Sequence, residues 1–237
     1  MSTRSNGTVH GWRSLFRRRP ADRDLVAYRR LALQLQQDLS ATGSRRSVLL
    51  TSPRSSAVVA RSAVLLACCA AEELDGKILL IDACPNDPDT SELLSATGKP
   101  GYAELRRGAR EAWRDLVLPT ENRRVSFLPA GDPGSTGEGT ALALPDLLQD
   151  AERDYSLVIL SGGSALDGSS ALAASPHTGC TLITIVEGET RMADLNSAQD
   201  ELARCQTPKI GLLMTNSVRR KVATPERVTR GNAGKAG

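Results

Sequence analysis

The segment from Arg46 to Ala83 constrains the fold more than any other part of the chain, because it places one long helical pattern between two apolar runs. The runs "SVLLTS" and "ILLIDA" are short and rich in Leu, Ile and Val, which is typical of strands. Between them, "SSAVVARSAVLLACCAAEEL" is too long for a strand and rich in Ala and Leu. Because neither run alternates with polar residues, the segment predicts a βαβ unit whose parallel strands are covered on both faces.

The rest of the chain continues this alternation. The pattern from Asp22 to Leu39 predicts a first helix, with Leu25, Tyr28, Leu31, Leu35 and Leu39 on one stripe. Further helices are predicted at "SELLSATG", "GYAELRRGAREAWRDL", "ALPDLLQDAERD" and "TRMADLNSAQDELARC", the last with Thr190 placed to cap it, and further strands at "VSFLPAG", "YSLVILSGG", "CTLITIVEG" and "KIGLLMTN". This order predicts an α/β fold with a doubly wound, mostly parallel sheet flanked by helices in three layers.

Charge and length indicate one domain with basic ends. The chain has 237 residues and a net charge of +3, which is too small to indicate nucleic acid as a partner. We expect a flexible basic arm at 1–20, one domain at 21–217 and a disordered basic tail at 218–237. Within the arm, Trp12, Leu15 and Phe16 lie among arginines, a mixture that suits either docking to a membrane surface or partner, or a solvated arm.

From its apolar runs and cysteines we expect a protein that is neither membrane-spanning nor secreted. No apolar run reaches about 18 residues, and the N-terminus lacks the apolar region of a signal peptide. The five cysteines show no metal-binding spacing and lie mostly in apolar segments, which predicts buried, reduced thiols in a cytoplasmic protein. The chain has only two histidines, His10 and His177, so a metal site or a catalytic triad built on histidine is poorly supplied. Cys180 follows His177 by three positions and is either a thiol nucleophile or a buried thiol.

Ligands of doubly wound sheets bind at the carboxyl ends of strands, which here are Thr51, Asp82 and Ser161. A phosphate-binding loop needs glycines for close backbone approach, a lysine for charge and a hydroxyl for magnesium. The segment "SPRSSAVVARS" after Thr51 has no glycine and no lysine. Either Arg54 and Arg61 bind an anion at the helix N-terminus, or the segment is a helix start capped by a serine, Ser55 or Ser56.

Two other segments could hold phosphate or a cation. In "GDPGSTGEGTALALP", Gly134, Gly139 and Thr140 have phosphate-loop spacing without the lysine, which favours a surface loop and a helix beginning near Thr140. In "DACPNDPDTSE", the carboxylates could hold a hard cation, or the segment is a solvated loop with a helix cap at Asp89 or Thr90. The carboxylates concerned are Asp82, Asp87, Asp89 and Glu92.

The order of the segments resembles the cytoplasmic domain of bacterial tyrosine kinases from about Leu25 to Asn216. The likeness is carried by "YRRLALQLQ", "VLLTS", "KILLIDACPNDPDTSELL", "GKPGYAELRRG", "VSFLPAG", "YSLVILSGG", "LITIVEGETRMADL" and "IGLLMTN". Those kinases act with chain-length-determinant membrane adaptors in capsule and exopolysaccharide synthesis, and they belong to the P-loop class that includes the MinD and ParA ATPases. The resemblance implies a P-loop NTPase-like fold.

The resemblance also locates departures from the family's three nucleotide motifs. In the second motif Asp82 matches the first aspartate, but Cys84 replaces the next, and in the third Ser161 stands where an aspartate organises the metal. The first motif, Thr-Ser, a few residues and then Pro-Gly-Glu-Gly-Lys-Ser, is laid on Thr51 and Ser52 without gaps. It puts Ser56 and Val58 at the glycines, Val59 at the lysine and Ala60 at the magnesium hydroxyl.

Other family features are reduced. The self-association motif Glu-x-x-Arg-x-x-Arg is represented by Val26, Arg29 and Ala32, so only Arg29 matches it. We expect no counterpart of the family's tyrosine-rich tail in this sequence, because its three tyrosines, Tyr28, Tyr102 and Tyr155, all lie in the body of the predicted fold. In the family the adaptor contacts the first helix and the surface near the nucleotide, which implies a partner contact at Tyr28 and Arg29.

Together these departures predict a catalytically inactive pseudokinase without a cofactor. The resemblance implies a scaffold or regulator of polysaccharide synthesis or export, held at the inner membrane by the cytoplasmic tail of an adaptor or another envelope component. Two alternatives stay open: a divergent ATPase or kinase that uses Arg54 or Arg61 with Asp82, and a MinD-like or ParA-like accessory protein that uses the basic ends. The oligomeric state is also open.

Overall fold

The predicted βαβ unit is present in the structure, a computed structural model that describes residues 8–9, 22–41, 43, 45–108, 112–134 and 142–216. The described chain contains the α-helices α1 (Asp22–Ala41), α2 (Ser56–Glu73), α3 (Asp89–Leu93), α4 (Tyr102–Arg107), α5 (Trp113–Leu116), α6 (Leu144–Asp154), α7 (Ser170–Ala174) and α8 (Met192–Arg204). Its strands are β1 (Ser47–Ser52), β2 (Ile78–Asp82), β3 (Leu118–Pro119), β4 (Val125–Leu128), β5 (Leu157–Ser164), β6 (Cys180–Val186) and β7 (Ile210–Thr215).

The strands form a seven-stranded sheet in the order β3-β4-β2-β5-β1-β6-β7. All neighbours pair in parallel except β3 and β4, which are antiparallel. Every residue of β1, β2 and β5 is buried, as expected for central strands covered on both faces. The α/β, mostly parallel sheet predicted from the sequence is therefore confirmed.

Alternate residues of the central strands enter two separate cores. Val48 and Leu50 pack into the core that β1 shares with α1 and α2. Leu49 points the other way, into the core that contains residues of α4, α5, α6 and α7. The sheet therefore lies between two helical layers. The polar carboxyl ends of its strands lie at the edge from which α2 and α8 begin.

The predicted stripe of α1 is the face that packs on the sheet and α2. Tyr28, Leu35 and Leu39 are buried, and Leu25 and Leu31 are partly buried against the same core. This agrees with the helical spacing in the sequence and fixes α1 across the outer face of α2.

Several local predictions differ from the structure. The segment 101–116, predicted as one helix, is divided into α4 and α5, because Gly108 ends α4 with a left-handed φ of 90°. Thr190 does not cap α8: its hydroxyl accepts a hydrogen bond from the Val186 N–H, and Arg191 takes the cap position. The short elements β3 and α7 were not predicted, and α6 begins at Leu144 rather than near Thr140.

Some predictions fall on residues outside the described ranges. These are most of the basic arm with Trp12, Leu15, Phe16 and His10, the tail at 218–237, and Gly139 and Thr140 of the glycine-rich segment. One described residue of the arm, Val9, is buried and forms a parallel bridge with Thr120 beside β3. Among the described helices, none is both long and apolar enough to cross a membrane.

Candidate functional site

The three predicted strand ends meet at one edge of the sheet, since β1 and β2 both flank β5. Asp82 lies opposite Ser161 in the β2–β5 register, and Ser52 lies opposite Ser164 in the β1–β5 register. Thr51, Asp82 and Ser161 are nevertheless buried, each at most 3% exposed. The site predicted from the sequence is therefore a place where strand ends converge inside the protein.

The segment that should form a phosphate-binding loop is short. β1 ends at Ser52 and α2 begins at Ser56, so the connection consists of Pro53, Arg54 and Ser55. All four first-motif positions lie in this helix: Ser56, Val58, Val59 and Ala60. The N–H groups of Val59 and Ala60 bond to carbonyls of the preceding turn and do not face a ligand, whereas Ser56 and Val58 lie in the first turn, whose N–H groups have no partner within the helix.

Two of the four side chains at those positions are enclosed in the core, whereas Ser56 is half-buried and Val58 also borders the clefts beside α2. Val59 and Ala60 are buried, and Val58 is partly buried against the core shared with α1. The position that corresponds to the lysine thus holds an apolar side chain packed inside the protein. No charged group at positions 58–60 is available to a phosphate.

The start of α2 is stabilised by Ser52, not by the serines predicted to cap it. Ser55 occupies the cap position, but its side chain makes no capping hydrogen bond. Instead, the Ser52 hydroxyl accepts from the Ser55 N–H at 2.8 Å and donates to the Ser55 carbonyl at 2.7 Å. The predicted helix start with Ser55 at the cap position is therefore confirmed, but the hydroxyl that bonds there belongs to Ser52 rather than to Ser55 or Ser56.

The Asp82 carboxylate is bonded to the segment that follows β2. Its Oδ2 accepts from the N–H and the hydroxyl of Ser91, both at 2.8 Å, and its Oδ1 accepts from the Cys84 N–H at 3.3 Å. Burial outweighs these donors and raises the pKa of Asp82 to about 7. The carboxylate therefore holds α3 against the end of β2.

Ser161 takes part in the same internal network. Its Oγ accepts from the Thr90 hydroxyl at 2.8 Å, and Ser91 Oγ accepts from the Ala130 N–H at 2.9 Å. Thr90 and Ser91 are both buried. The polar groups at the ends of β2, β4 and β5 thus bond to α3 and to one another.

Cys84 lies against a backbone turn of β5. Gly163 has a φ of +69°, and a Cβ built on it would lie 2.8 Å from Cys84 Sγ. The Gly163 carbonyl accepts from the Thr51 hydroxyl at 2.8 Å. Burial raises the pKa of the Cys84 thiol, so it is a packed, protonated side chain at neutral pH.

Arg54 and Arg61, the predicted anion contacts, have different surroundings. Arg54 bridges Asp167, at 2.8 Å, and Asp194, at 3.1 Å, so its charge is compensated within the chain. Arg61 lines a cleft of about 250 Å³ between α1, α2 and the end of β7, together with Glu189. It forms no hydrogen bond or ion pair with another residue in the described ranges. A second cleft, of about 430 Å³, lies between the β1–α2 connection and the start of α8.

The two residues predicted to contact a partner are both engaged with α2. Tyr28 is buried, and its hydroxyl donates to Ser62 Oγ at 3.0 Å. Arg29 is exposed and forms ion pairs with Glu72 and Glu73. Arg29 is therefore accessible to a partner, whereas Tyr28 contributes to the packing of α1. The partner contact itself stays a prediction.

The remaining candidates do not form reactive or metal-binding clusters. Burial raises the pKa of Cys180, which suits a packed thiol better than a nucleophile, and all five cysteines are free. In the part of the chain that the structure describes, no group of three or more His, Cys, Asp or Glu side chains is arranged to hold a metal ion. α3 starts at Asp89 after Pro88, so neither Asp89 nor Thr90 is its cap.

The sequence singled out Ser52 in the first motif and Thr90 as a possible helix cap, but it did not predict the partners that these residues have at the strand ends. Ser52, Thr90, Ser91 and the two carboxylates that hold Arg54 are separated from their partners by several to more than a hundred positions. No short motif marks these pairings. Their role becomes visible only once the strands are aligned.

Comparison with solved structures assigns the fold. The BceF tyrosine kinase domain superposes with a TM-score of 0.71 at 23% identity, covering 86% of this chain and 81% of that chain. The kinase domain of Escherichia coli tyrosine kinase ETK gives 0.64 at 16% identity, covering 76% and 71%. The MinD cell division protein of Aquifex aeolicus gives 0.53 at 13%, covering 71% and 68%.

These likenesses confirm the P-loop NTPase-like fold that the resemblance implied, in the form found in bacterial tyrosine kinase domains and MinD. No protein-family model and no curated protein matches the chain.

Proposed function

We propose that the protein is a catalytically inactive, tyrosine-kinase-like pseudo-ATPase that acts as a scaffold or regulator in capsule or exopolysaccharide synthesis or export. The proposal is supported by one observation above all: the fold of the kinase domains is retained, while the segment at the end of β1 is a three-residue connection followed directly by α2. A chain that keeps the architecture without the phosphate cradle retains its surfaces for contact with other proteins.

The chemistry of phosphoryl transfer supports this interpretation. Such transfer depends almost entirely on positioning and on stabilisation of charge by a lysine and bound magnesium. Here Val59 and Ala60 are buried and apolar, and the Ser161 hydroxyl is already bonded to Thr90. Bringing a triphosphate against these side chains would leave charges unpaired, at a cost of roughly several kcal/mol.

A divergent ATPase is the second candidate, and Arg61 is the residue that favours it. Its guanidinium borders the cleft beside α2, and arginine can bind phosphate through two parallel hydrogen bonds. Arg54 and Asp82 fit this role less well, because both are bonded within the chain. The third candidate, a MinD-like or ParA-like accessory protein, depends on basic ends that lie outside the described residues.

Nucleotide binding separates the first two candidates. We expect isothermal titration of the full chain with magnesium-ATP, and separately with ADP, to give no heat of binding up to millimolar ligand. We also expect Arg61→Ala and Arg54→Ala to leave the titration unchanged. Saturable heat that disappears in Arg61→Ala, or hydrolysis of ATP that is lost in Asp82→Asn, would contradict the proposal and favour a divergent enzyme.

The proposed partner is the cytoplasmic tail of a chain-length-determinant membrane adaptor, which would place the protein at the inner face of the membrane. Arg29 is the accessible residue on the implied contact surface. We expect the purified tail to bind the protein and Arg29→Glu to weaken binding at least several-fold. Arg153→Glu is the matched control, since Arg153 is an exposed arginine on α6, in the opposite helical layer. Equal loss in both variants, or no binding of the tail, would count against this surface.

A further inference from the structure

The outer edge of β7 is the least protected part of the sheet. β7 pairs with β6 along its whole length, from Ile210 to Thr215, and no residue of the described chain pairs with its other edge. At the opposite end of the sheet, Val9 covers the edge near β3 through its bridge to Thr120. The two ends of the sheet therefore differ.

Edge strands of monomers are usually protected by charges, prolines or bulges against pairing with another chain. β7 has none of these between Ile210 and Thr215, and its register with β6 is regular. Leu212 and Met214, which lie on one face of the strand, are 52% and 65% exposed. An apolar strand of this kind is a template for addition of a further strand.

The backbone hydrogen bonds determine which groups of β7 face outward. The carbonyls of Lys209 and Thr215 accept from the N–H groups of Thr181 and Glu187, so these odd-numbered residues point their backbone toward β6. Because this direction alternates along a strand, the N–H and C=O groups of the even-numbered residues face the open edge. These residues are Ile210, Leu212 and Met214.

This outward set is complementary to itself. If two copies of β7 run antiparallel about a two-fold axis at Leu212, then Leu212 lies opposite Leu212 of the other copy and Ile210 lies opposite Met214. Each such pair exchanges two backbone hydrogen bonds, so every outward group of the three residues is satisfied. The three apolar side chains of each copy then share one face of the joined sheet.

The charges beside β7 favour the same orientation. Lys209 precedes the strand and is half-exposed in an ion pair with Asp38 at 2.8 Å, and the exposed Glu187 and Glu189 lie beside the carboxyl end of the strand. An antiparallel arrangement brings the lysine of one copy near the glutamates of the other, whereas a parallel arrangement would align like charges. Two-fold, self-complementary contacts of this kind are the commonest in homo-oligomers.

We propose that β7 forms the interface of a homodimer in which the two strands pair antiparallel, centred on Leu212, and join the two sheets. The partner is a second copy of this chain. The inference does not depend on the proposed function, because it uses only the geometry of β7 and its flanks.

Sedimentation of the full chain over a concentration series tests the dimer. We expect a monomer–dimer equilibrium in the unchanged protein and at least a tenfold weaker association in Leu212→Glu. Leu33→Glu is the matched control: Leu33 is also an exposed leucine, but it lies on α1 and outside the self-association motif. A monomer at every concentration, or a dimer lost in Leu33→Glu and retained in Leu212→Glu, overturns the proposal.

Disulfide formation tests the pairing register of the two β7 strands without adding a charge to the interface. In a Cys205→Ser background, Leu212→Cys is expected to form a covalent dimer under mild oxidation, since the facing Cα atoms of such a pair lie about 5.5 Å apart. Met214→Cys is more exposed but should not crosslink to itself, because the two residues are about 13 Å apart in this register. Faster crosslinking of Met214→Cys than of Leu212→Cys would exclude the pairing.

Amide exchange distinguishes a second copy from a segment of the same chain. We expect the Leu212 and Met214 amides to become protected only as the protein concentration rises. Protection of both amides in the dilute monomer would assign the edge to the chain's own residues and overturn the proposal.

Discussion

Asp82 illustrates how a residue recognised from a motif can serve a purely internal role. The sequence places it at the end of a strand, where a carboxylate could hold magnesium. In the structure its oxygens accept hydrogen bonds from Ser91 and Cys84, and burial raises its pKa from an ordinary value of 3.8 to about 7. Ionisation of Asp82 should therefore make the free energy of unfolding depend on pH.

We expect the contribution of Asp82 to stability to fall as the pH rises from about 4 to about 7. Over this range the unfolded chain releases the Asp82 proton while the folded chain retains it, so ionisation favours unfolding. The difference in free energy of unfolding between the unchanged protein and Asp82→Asn should shift in favour of Asn by on the order of a few kcal/mol. Urea unfolding at pH 4.5 and 7.5 measures the shift, and parallel pH curves for the two proteins would contradict the expectation.

The contact between Gly163 and Cys84 makes a second prediction at the scale of single residues. Gly163→Ala adds a methyl group 2.8 Å from Cys84 Sγ to a left-handed backbone. Gly188→Ala is the matched control, since Gly188 has a φ of +75° with no atom within 4 Å of the added group. We expect Gly163→Ala to lower the free energy of unfolding by about 1 kcal/mol more than Gly188→Ala.

Removing the sulfur should relieve part of this strain. In a double-mutant cycle, Gly163→Ala should cost less in a Cys84→Ala background than in the unchanged protein. Additive costs would mean that the backbone conformation alone, and not the contact, penalises the substitution.

At the scale of elements, the start of α2 depends on a hydroxyl from the preceding strand. Ser52→Ala removes the acceptor of the Ser55 N–H and should destabilise the protein by about 0.5–2 kcal/mol. Ser55→Ala changes a side chain that makes no capping bond and should cost less than about 0.5 kcal/mol. Denaturant midpoints of the two variants measure both costs. A larger loss of stability in Ser55→Ala than in Ser52→Ala would mean that the Ser55 side chain stabilises the start of the helix.

The sequence was sufficient for the central elements because their patterns are strong. The strands β1, β2 and β5 are uninterrupted apolar runs, and the stripe of α1 repeats at helical spacing. The shorter elements were missed for physical reasons: β3 has two residues, which is too few for a periodic signal, and the left-handed Gly108 interrupts a continuous helical pattern. Element boundaries depend on such single backbone conformations.

The candidate site was predictable only as a location. Because parallel strands end at a common edge, Thr51, Asp82 and Ser161 could be placed together from the sequence. Their partners could not, since Thr90 lies 71 positions from Ser161 and Asp194 lies 140 positions from Arg54. Hydrogen bonds and ion pairs over such separations leave no local pattern.

At the scale of the whole molecule, the two edges of the sheet differ in whether a further segment of the described chain pairs with them. Near β3, the Val9 N–H donates to the Pro119 carbonyl at 2.9 Å, and the Val9 side chain is buried. Beside β7, the backbone groups of Leu212 and Met214 face outward. This asymmetry implies that Val9 contributes to the stability of the sheet, whereas the edge of β7 is the surface proposed above for association.

We therefore expect Val9→Ala to destabilise the folded chain by about 1–2 kcal/mol through loss of buried apolar contacts. Thr8→Ala, at the exposed neighbouring position, should have little effect. Thermal unfolding of both variants provides the measurement, and equal melting temperatures would indicate that burial of the Val9 side chain adds little.

The helical start of α2 also limits how this chain could change over evolutionary time. Exchanging Val59 for lysine would not recreate a phosphate site, because the new ammonium group would be buried at a position that is now fully enclosed. Glycines at positions 56 and 58 would loosen the helix without lengthening the three-residue turn before it. Because the family motif aligns with this segment without gaps, a return to nucleotide use would require a later start of α2 together with changes at positions 56, 58 and 59, which no single substitution supplies.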